Sequence, residues 1–222
     1  MFHMKQTQLF DIINKHATCL TGRQPHPGLF HAISAHYLLL KEWSKTVKLT
    51  GSLDEAVIAE NLYLDSLIAA SFLASAFVGC QSIHDVGSGA GFPGLFLPLY
   101  FKGCETFVLH ESRRRKVSFL KTALRTIGYT NVLVSGERVE KGSFTADAVL
   151  SRATLPPPAW LSLASTLVAT GGRVALFAAG DSRRVFPPGE KPAASLTLVA
   201  THGYMLPVSG RARTIMIYER TS

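Results

Sequence analysis

One stretch constrains this chain more than any other: Ile83-His84-Asp85-Val86-Gly87-Ser88-Gly89-Ala90-Gly91-Phe92-Pro93-Gly94. A short apolar run stops at Val86. Glycines follow at 87, 89 and 91, ahead of a segment, Pro93–Phe101, whose pattern predicts a helix. Glycine permits a sharp turn and lets a ligand come close to the main chain, because no Cβ stands in the way. A strand-to-helix turn of this kind sits at the carboxyl edge of a parallel sheet, where open α/β folds bind cofactors.

The rest of the chain agrees with such a sheet. From residue 82 onward, apolar runs at Ile83–Val86, Thr106–His110, Val132–Ser135, Ala148–Leu150 and Arg173–Ala178 predict strands. Pro93–Phe101, Arg113–Gly128 and Ala159–Val168 predict the helices between them. Alternation of this kind pairs strands in parallel through right-handed crossovers, giving a doubly wound, mostly parallel α/β sheet, Rossmann-like in class. Leu196–Thr201 and Thr214–Tyr218 add an antiparallel edge. Thr170-Gly171-Gly172 reads as a turn before a strand and Phe186-Pro187-Pro188-Gly189 as a loop. Residues 1–80 are helical in pattern: Lys5–Leu20, a connector Gly22–Gly28, His31–Lys48, and a further helix opened by a capping box of Ser52 and Glu55. The expected organisation is an N-terminal helical segment, 1–80, packed on a core, 81–222, in one compact domain. With 222 residues, 47% hydrophobic and 17% charged, the chain can bury a full core and is neither disordered nor a coiled coil.

Two kinds of ligand compete for the glycine turn. Gly89, Gly91 and Gly94 match the GxGxxG of dinucleotide sites. Counted from the strand end, however, the third glycine of that pattern falls on Phe92, and Pro93 removes an N–H where a pyrophosphate wants donors. Asp85 beside the turn is awkward for a diphosphate and suits a cation. S-adenosylmethionine carries an ammonium and a sulfonium and no phosphate, so Asp85, Gly87, Gly89 and Gly91 favour it. Glu111, at the end of the next strand, can accept both hydroxyls of a ribose; a helix N-terminal acid is the alternative.

His84–Leu97, Glu111-Ser112, Arg115-Lys116, Phe119-Leu120, Gly136-Glu137-Arg138-Val139-Glu140 and Asp147–Ala153 together resemble the RsmG (GidB) family of bacterial small-subunit rRNA guanine-N7 methyltransferases. The likeness also touches Trp43, Leu49-Thr50 and Leu64-Asp65-Ser66, and spans roughly residues 37–180. It implies S-adenosylmethionine contacts at Gly87, Phe92, Glu111, Val139, Glu140 and Arg152. It also implies a guanine of the 530 loop of 16S rRNA as substrate, free or in the small ribosomal subunit. Three positions depart from the family pattern: Ser44…Lys48 where Asn is usual, Asn61-Leu62 where Arg-His is usual, and Ala179 where a lysine is usual.

Guanine N7 is a lone-pair nucleophile with no proton to lose, so the chemistry asks for orientation rather than a base. Consistently, no Ser/His/Asp or Cys/His arrangement stands out, no cysteine follows Cys104 to serve cytosine C5 chemistry, and no Asn or Asp leads Pro156-Pro157-Pro158. Arg152 is the candidate catalytic group, orienting guanine or cofactor, with a structural arginine as the alternative. Lys and Arg number 23 against 15 Asp and Glu, a net charge of +8 that favours a polyanionic partner. Arg113, Arg114, Arg115 and Lys116 open a helix on which Arg114, Lys121 and Arg125 recur at i, i+7 and i+11, a basic stripe for RNA phosphates beside a core stripe of Val117, Leu120, Leu124 and Ile127; a solvated helix face is the alternative. Arg183, Arg184, Arg211 and Arg213 are further candidates. Cys19, Cys80 and Cys104 show no metal-ligand spacing and read as buried thiols of a reducing cytosol. Neither a signal peptide nor a membrane span is expected, since Leu67–Cys80 and Phe92–Phe101 are short or broken by proline. A cytoplasmic monomer without metal follows. The rival readings are a non-catalytic rRNA-binding or assembly protein and an NAD(P)-linked oxidoreductase.

Overall fold

The computed structural model describes residues 8–21, 26–101, 103–180 and 193–222. Seven strands form one sheet: β1 (Ser82–Val86), β2 (Thr106–His110), β3 (Val132–Ser135), β4 (Ala146–Arg152), β5 (Val168–Ala179), β6 (Leu196–Met205) and β7 (Ala212–Arg220). Their order is β3-β2-β1-β4-β5-β7-β6. The first five are parallel, and β7 enters antiparallel between β5 and β6. The order reverses between β1 and β4, so a crevice opens at their carboxyl ends, the ligand position of such sheets.

Both faces of the sheet are covered, and the pleat shows in the side chains. On β7, Ile215 and Ile217 enter one core while Met216 and Tyr218 enter the other. The larger core packs one face against α1 (Gln8–Thr21), α2 (Leu29–Trp43), the helical run Glu55–Ala76 and α5 (Arg114–Ile127). The smaller packs the opposite face against α6 (Pro157–Ala164), whose buried Trp160 donates to the carbonyl of Ala175. The helical layer and the sheet thus share one continuous core.

Several elements differ from expectation. Pro93–Phe101 forms turns and a short 3₁₀ segment, Leu97–Leu99, because Pro93 and Pro98 cannot donate to a helical ladder. Thr170-Gly171-Gly172 lies inside β5: Ala146 and Ala148 on β4 face Val168 and Arg173, so the extra residues bulge out, with Gly171 at φ +79°. Asp54, rather than Ser52, caps the helix at Glu55 by accepting the Val57 amide, while Ser52 Oγ accepts the amide of Asp54. That helix is continuous through α3 (Glu55–Ile58), a π-helical segment Ala59–Leu64 and α4 (Asp65–Ala76). By length and composition it could cross a membrane, which the run from Leu67 alone could not, yet 67% of its most apolar window is buried inside the fold. Cys104 is buried and Cys80 half-buried, both free thiols, with Cys80 pushed up to about 11 by burial. The Phe186–Gly189 loop, Arg183, Arg184, part of the first connector and the Cys19 side chain lie outside the described residues.

Candidate functional site

A cavity of about 830 Å³ opens at the carboxyl ends of β1 to β4. Gly87 and Gly89 line it from the turn after β1, and Glu111 from the end of β2. Val139 and Glu140 line it from the loop after β3, and Ala153, Thr154 and Leu155 from the segment after β4. Five of the cofactor residues expected from sequence are therefore brought together. The turn is held by the amides of Gly87 and Ser88, both donating to the His110 carbonyl, and by Ser88 Oγ donating to the carbonyl of Asp85.

The glycines do different things. A Cβ on Gly87 would fall 2.2 Å from Thr154 Oγ1, so glycine here lets the turn touch the loop after β4. Gly91, at φ +94°, lies against Leu95, and Gly94 against Asp85 and Leu109. Gly89, at φ +59°, has no such neighbour: nothing stands closer than 3.9 Å to the place of its Cβ. It is the glycine whose open side faces the cavity.

Glu111 is nearly buried, and its Oε1 accepts the Arg113 amide at 2.9 Å, so it steadies the entry to α5 as the alternative reading held. A carboxylate has about four lone-pair sites, which leaves capacity for a diol as well. Beside it, His84 Nδ1 lies 3.0 Å from His110 Nε2, and the Phe144 ring stacks on His110 with centroids 4.7 Å apart. Burial lowers both imidazoles to about 4, so this flank is uncharged and aromatic at neutral pH. Neither histidine figured in the sequence reading, whose pattern offered only two strand residues.

Asp85, Gly91, Phe92 and Arg152 do not line this cavity. The pleat turns Asp85 to the face of Ile83, where its Oδ2 accepts the Gly94 amide at 3.1 Å. Its Oδ1 is buried without a hydrogen-bond partner, and burial pushes the carboxyl up to about 7. Asp85 thus packs beneath the turn rather than lining this cavity. The ring of Phe92 packs among His36, Tyr63 and Phe96. Its ring centroid also lies 5.9 Å below the Arg152 guanidinium. Arg152 faces a second, smaller cavity of about 260 Å³, with Asn61, Asp65, Phe177, Tyr204 and Arg213 around it. Its Nη1 is 3.0 Å from Asp65 Oδ2, and Tyr204 OH donates to Asp65 Oδ1 at 2.6 Å. Ala153, at φ +56°, borders both cavities.

The basic stripe is where the periodicity put it. Phe119, Leu120, Ala123 and Leu124 of α5 are buried, while Arg113, Arg114, Arg115, Lys121 and Arg125 are exposed. Arg115 donates to the Thr46 carbonyl, and Arg113 and Lys116 border the large cavity. Among the described residues none of the six forms an ion pair, and no cluster of three or more metal-ligating side chains occurs.

Residues 30–184 match the family model described as rRNA small subunit methyltransferase G. The chain is 32% identical over 186 residues to the ribosomal RNA small subunit methyltransferase G of Anaeromyxobacter dehalogenans (strain 2CP-C), covering 82% of this chain and 84% of the relative. It is 31% identical over 206 residues to that of Aromatoleum aromaticum, covering 90% and 93%. Among solved structures, Trm5b from Pyrococcus abyssi superposes with a TM-score of 0.52 at 12% identity, over 70% of this chain and 49% of that one. An rRNA methylase from Streptococcus thermophilus gives 0.50 at 13%, over 70% and 95%. At these identities the superpositions speak for the fold alone, a mostly parallel α/β sheet. The sequence matches, together with the cavity at the crossover, place the chain in the rRNA small subunit methyltransferase G family.

Proposed function

We propose that the protein transfers a methyl group from S-adenosylmethionine to N7 of a guanine in 16S rRNA. The observation that carries this reading is the pair of adjoining cavities, one large and flanked by the glycine turn, one small and charged, which meet at Ala153. The large one fits the cofactor: Gly89 opens a close approach to the backbone, Glu111 has lone pairs to spare for ribose hydroxyls, and Val139 and Glu140 stand where the adenine would lie. When bound, S-adenosylmethionine supplies an electrophilic methyl group.

The chain's own part is positioning. Holding nucleophile and electrophile in attack geometry is worth about 7–11 kcal/mol of barrier, with no base needed for a proton-free nitrogen. Arg152 is set for that role from the wall of the small cavity, its guanidinium fixed by Asp65 and the Phe92 ring. The cations of α5, which form no ion pair among the described residues, offer RNA a phosphate-binding face beside the cofactor. A cytoplasmic monomer acting on free 16S rRNA or on the small ribosomal subunit completes the reading.

The test is incubation of deproteinised 16S rRNA and of 30S particles with methyl-labelled cofactor, followed by mapping of the label. One N7-methylguanine in one of these substrates is expected. No incorporation into either, with binding of the RNA intact, would leave an rRNA-binding protein without transferase activity. Tight NADH binding without S-adenosylhomocysteine binding would instead favour an oxidoreductase.

A further inference from the structure

We infer that the small cavity is the pocket for the acceptor guanine and that Asp65 is its specificity-determining residue, reading the N1–H and N2–H donors of the base. The inference rests on guanine being the methyl acceptor and adds which groups tell it from other bases.

Position comes first. Ala153 borders both cavities, so a ring held in the small one can turn one edge toward the cofactor site. With N7 on that edge, the opposite edge of guanine carries N1–H and N2–H donors next to O6. Enzymes that act on a base take it out of the stack into such a pocket and read its Watson–Crick edge. The volume, about 260 Å³, exceeds the ~150 Å³ that accommodates a benzene. Phe177 and Ala178 give it an apolar wall.

The polar groups match guanine. Asp65 accepts one bond from Arg152 and one from Tyr204, while Arg213 Nε stands 3.8 Å away. Two of its roughly four lone-pair sites are filled, and two remain for N1–H and N2–H. Arg213, whose Nη2 is steadied by Asn61 Oδ1 at 3.2 Å, can donate to O6. Adenine would turn the N1 lone pair toward the same carboxylate, and an acceptor facing an acceptor is repulsive.

Charge flow gives Asp65 a second use. As the N7 lone pair forms the new C–N bond, the C–S bond breaks and its electron pair stays on sulfur. The positive charge passes to the purine and no proton leaves. The ring N–H groups become stronger donors during this step, so a carboxylate on them holds the transition state more tightly than the ground state.

The pocket is also built rather than incidental. The π-helical segment Ala59–Leu64 runs directly into Asp65, and segments of this type recur at functional sites. Glu60, almost wholly buried, accepts the amides of Val208 and Ser209 and so ties the β6–β7 connection to the helix that carries Asp65.

The experiment compares two 16S rRNA transcripts, one with guanosine and one with inosine, which lacks N2–H, at the mapped acceptor. Equilibrium binding with S-adenosylhomocysteine present and single-turnover methylation are measured for each. The wild-type protein is expected to prefer guanosine about tenfold or more in each readout, as for a lost bond to a charged group. In Asp65→Asn the preference falls to about one, with S-adenosylhomocysteine affinity close to wild type and a lowered unfolding temperature, because Arg152 loses its carboxylate partner. Tyr204→Phe, which keeps the carboxylate, retains the preference. A preference unchanged in Asp65→Asn, or absent in the wild-type protein, overturns the assignment of Asp65. Absence of any wild-type methylation overturns the guanine-methylation reading instead, and the binding comparison, made then with inosine in place of single 530-loop guanosines, still decides whether Asp65 senses the base.

Discussion

The two cavities at the carboxyl edge are made in contrasting ways. The large one is built from backbone: four consecutive parallel strands end side by side, and short segments after each supply its wall, with Gly89 and Glu111 a few residues from strand ends. The small one is built from side chains far apart in sequence, Asn61, Asp65, Arg152, Tyr204 and Arg213, held by ion pairs and hydrogen bonds between the helical layer and three strands of the sheet. A backbone site tolerates side-chain change except where a Cβ would intrude. A side-chain site depends on each partner, because removing one leaves another buried and unpaired.

That contrast can be broken at several points. Gly87→Val should have the largest effect, abolishing S-adenosylhomocysteine binding in calorimetry and lowering the unfolding temperature, since its Cβ lands on Thr154 and its φ is +78°. Retained affinity would mean that the turn is not the site. Gly89→Val sharpens the point. Its Cβ enters open space, so affinity should drop steeply while stability loses only the ~1–2 kcal/mol strain of a left-handed φ on a residue with a Cβ. Glu111→Ala should cost about 10- to 100-fold in cofactor affinity, the range of one or two bonds to a charged group.

The combined change Arg114→Glu and Lys121→Glu should weaken rRNA binding and make its log–log salt slope shallower by about 1.5, with cofactor affinity unchanged. Equal RNA affinity at low salt would dismiss the stripe. The smallest effect concerns Asp85. The folded protein keeps its proton up to about 7, whereas an unperturbed carboxyl loses it near 3.8. Folding therefore binds a proton between those values, and this contribution is lost as pH rises, by about 1 kcal/mol per pH unit between 5 and 7. His36, His84 and His110, lowered to about 4, act in the opposite sense as pH falls below 6.5. Chemical denaturation should show Asp85→Asn gaining relative to wild type as pH rises from 5 to 7. Parallel profiles would sink the claim that this carboxyl is buried.

What could be read from sequence follows the same division. Strands, the glycine turn and Glu111 were visible because period-2 apolar runs and turn glycines are local signals. Pro93–Phe101 misled because its apolar content suggests a helix while two prolines forbid one. The helix through Glu55–Ala76 is opened by local capping signals, but nothing local shows that its polar residues Glu60, Asn61 and Asp65 are aimed into the protein or the small cavity. Asp85 and Phe92 sit in the most telling motif, yet the pleat and the core take them away from the large cavity. No spacing rule links Asp65 to Tyr204 and Arg213, so their meeting had to be seen.

The order of strands has one more consequence. Among the described residues β6 hydrogen-bonds only to β7, and β7 covers the open edge of β5. The later strand of this antiparallel pair is thus interior to the sheet, and it carries Arg213 while fastening the strand that bears Tyr204. Without β7 the edge of β5 would be uncovered and both Tyr204 and Arg213 would lose their places around the small cavity, while every strand around the glycine turn would stay paired.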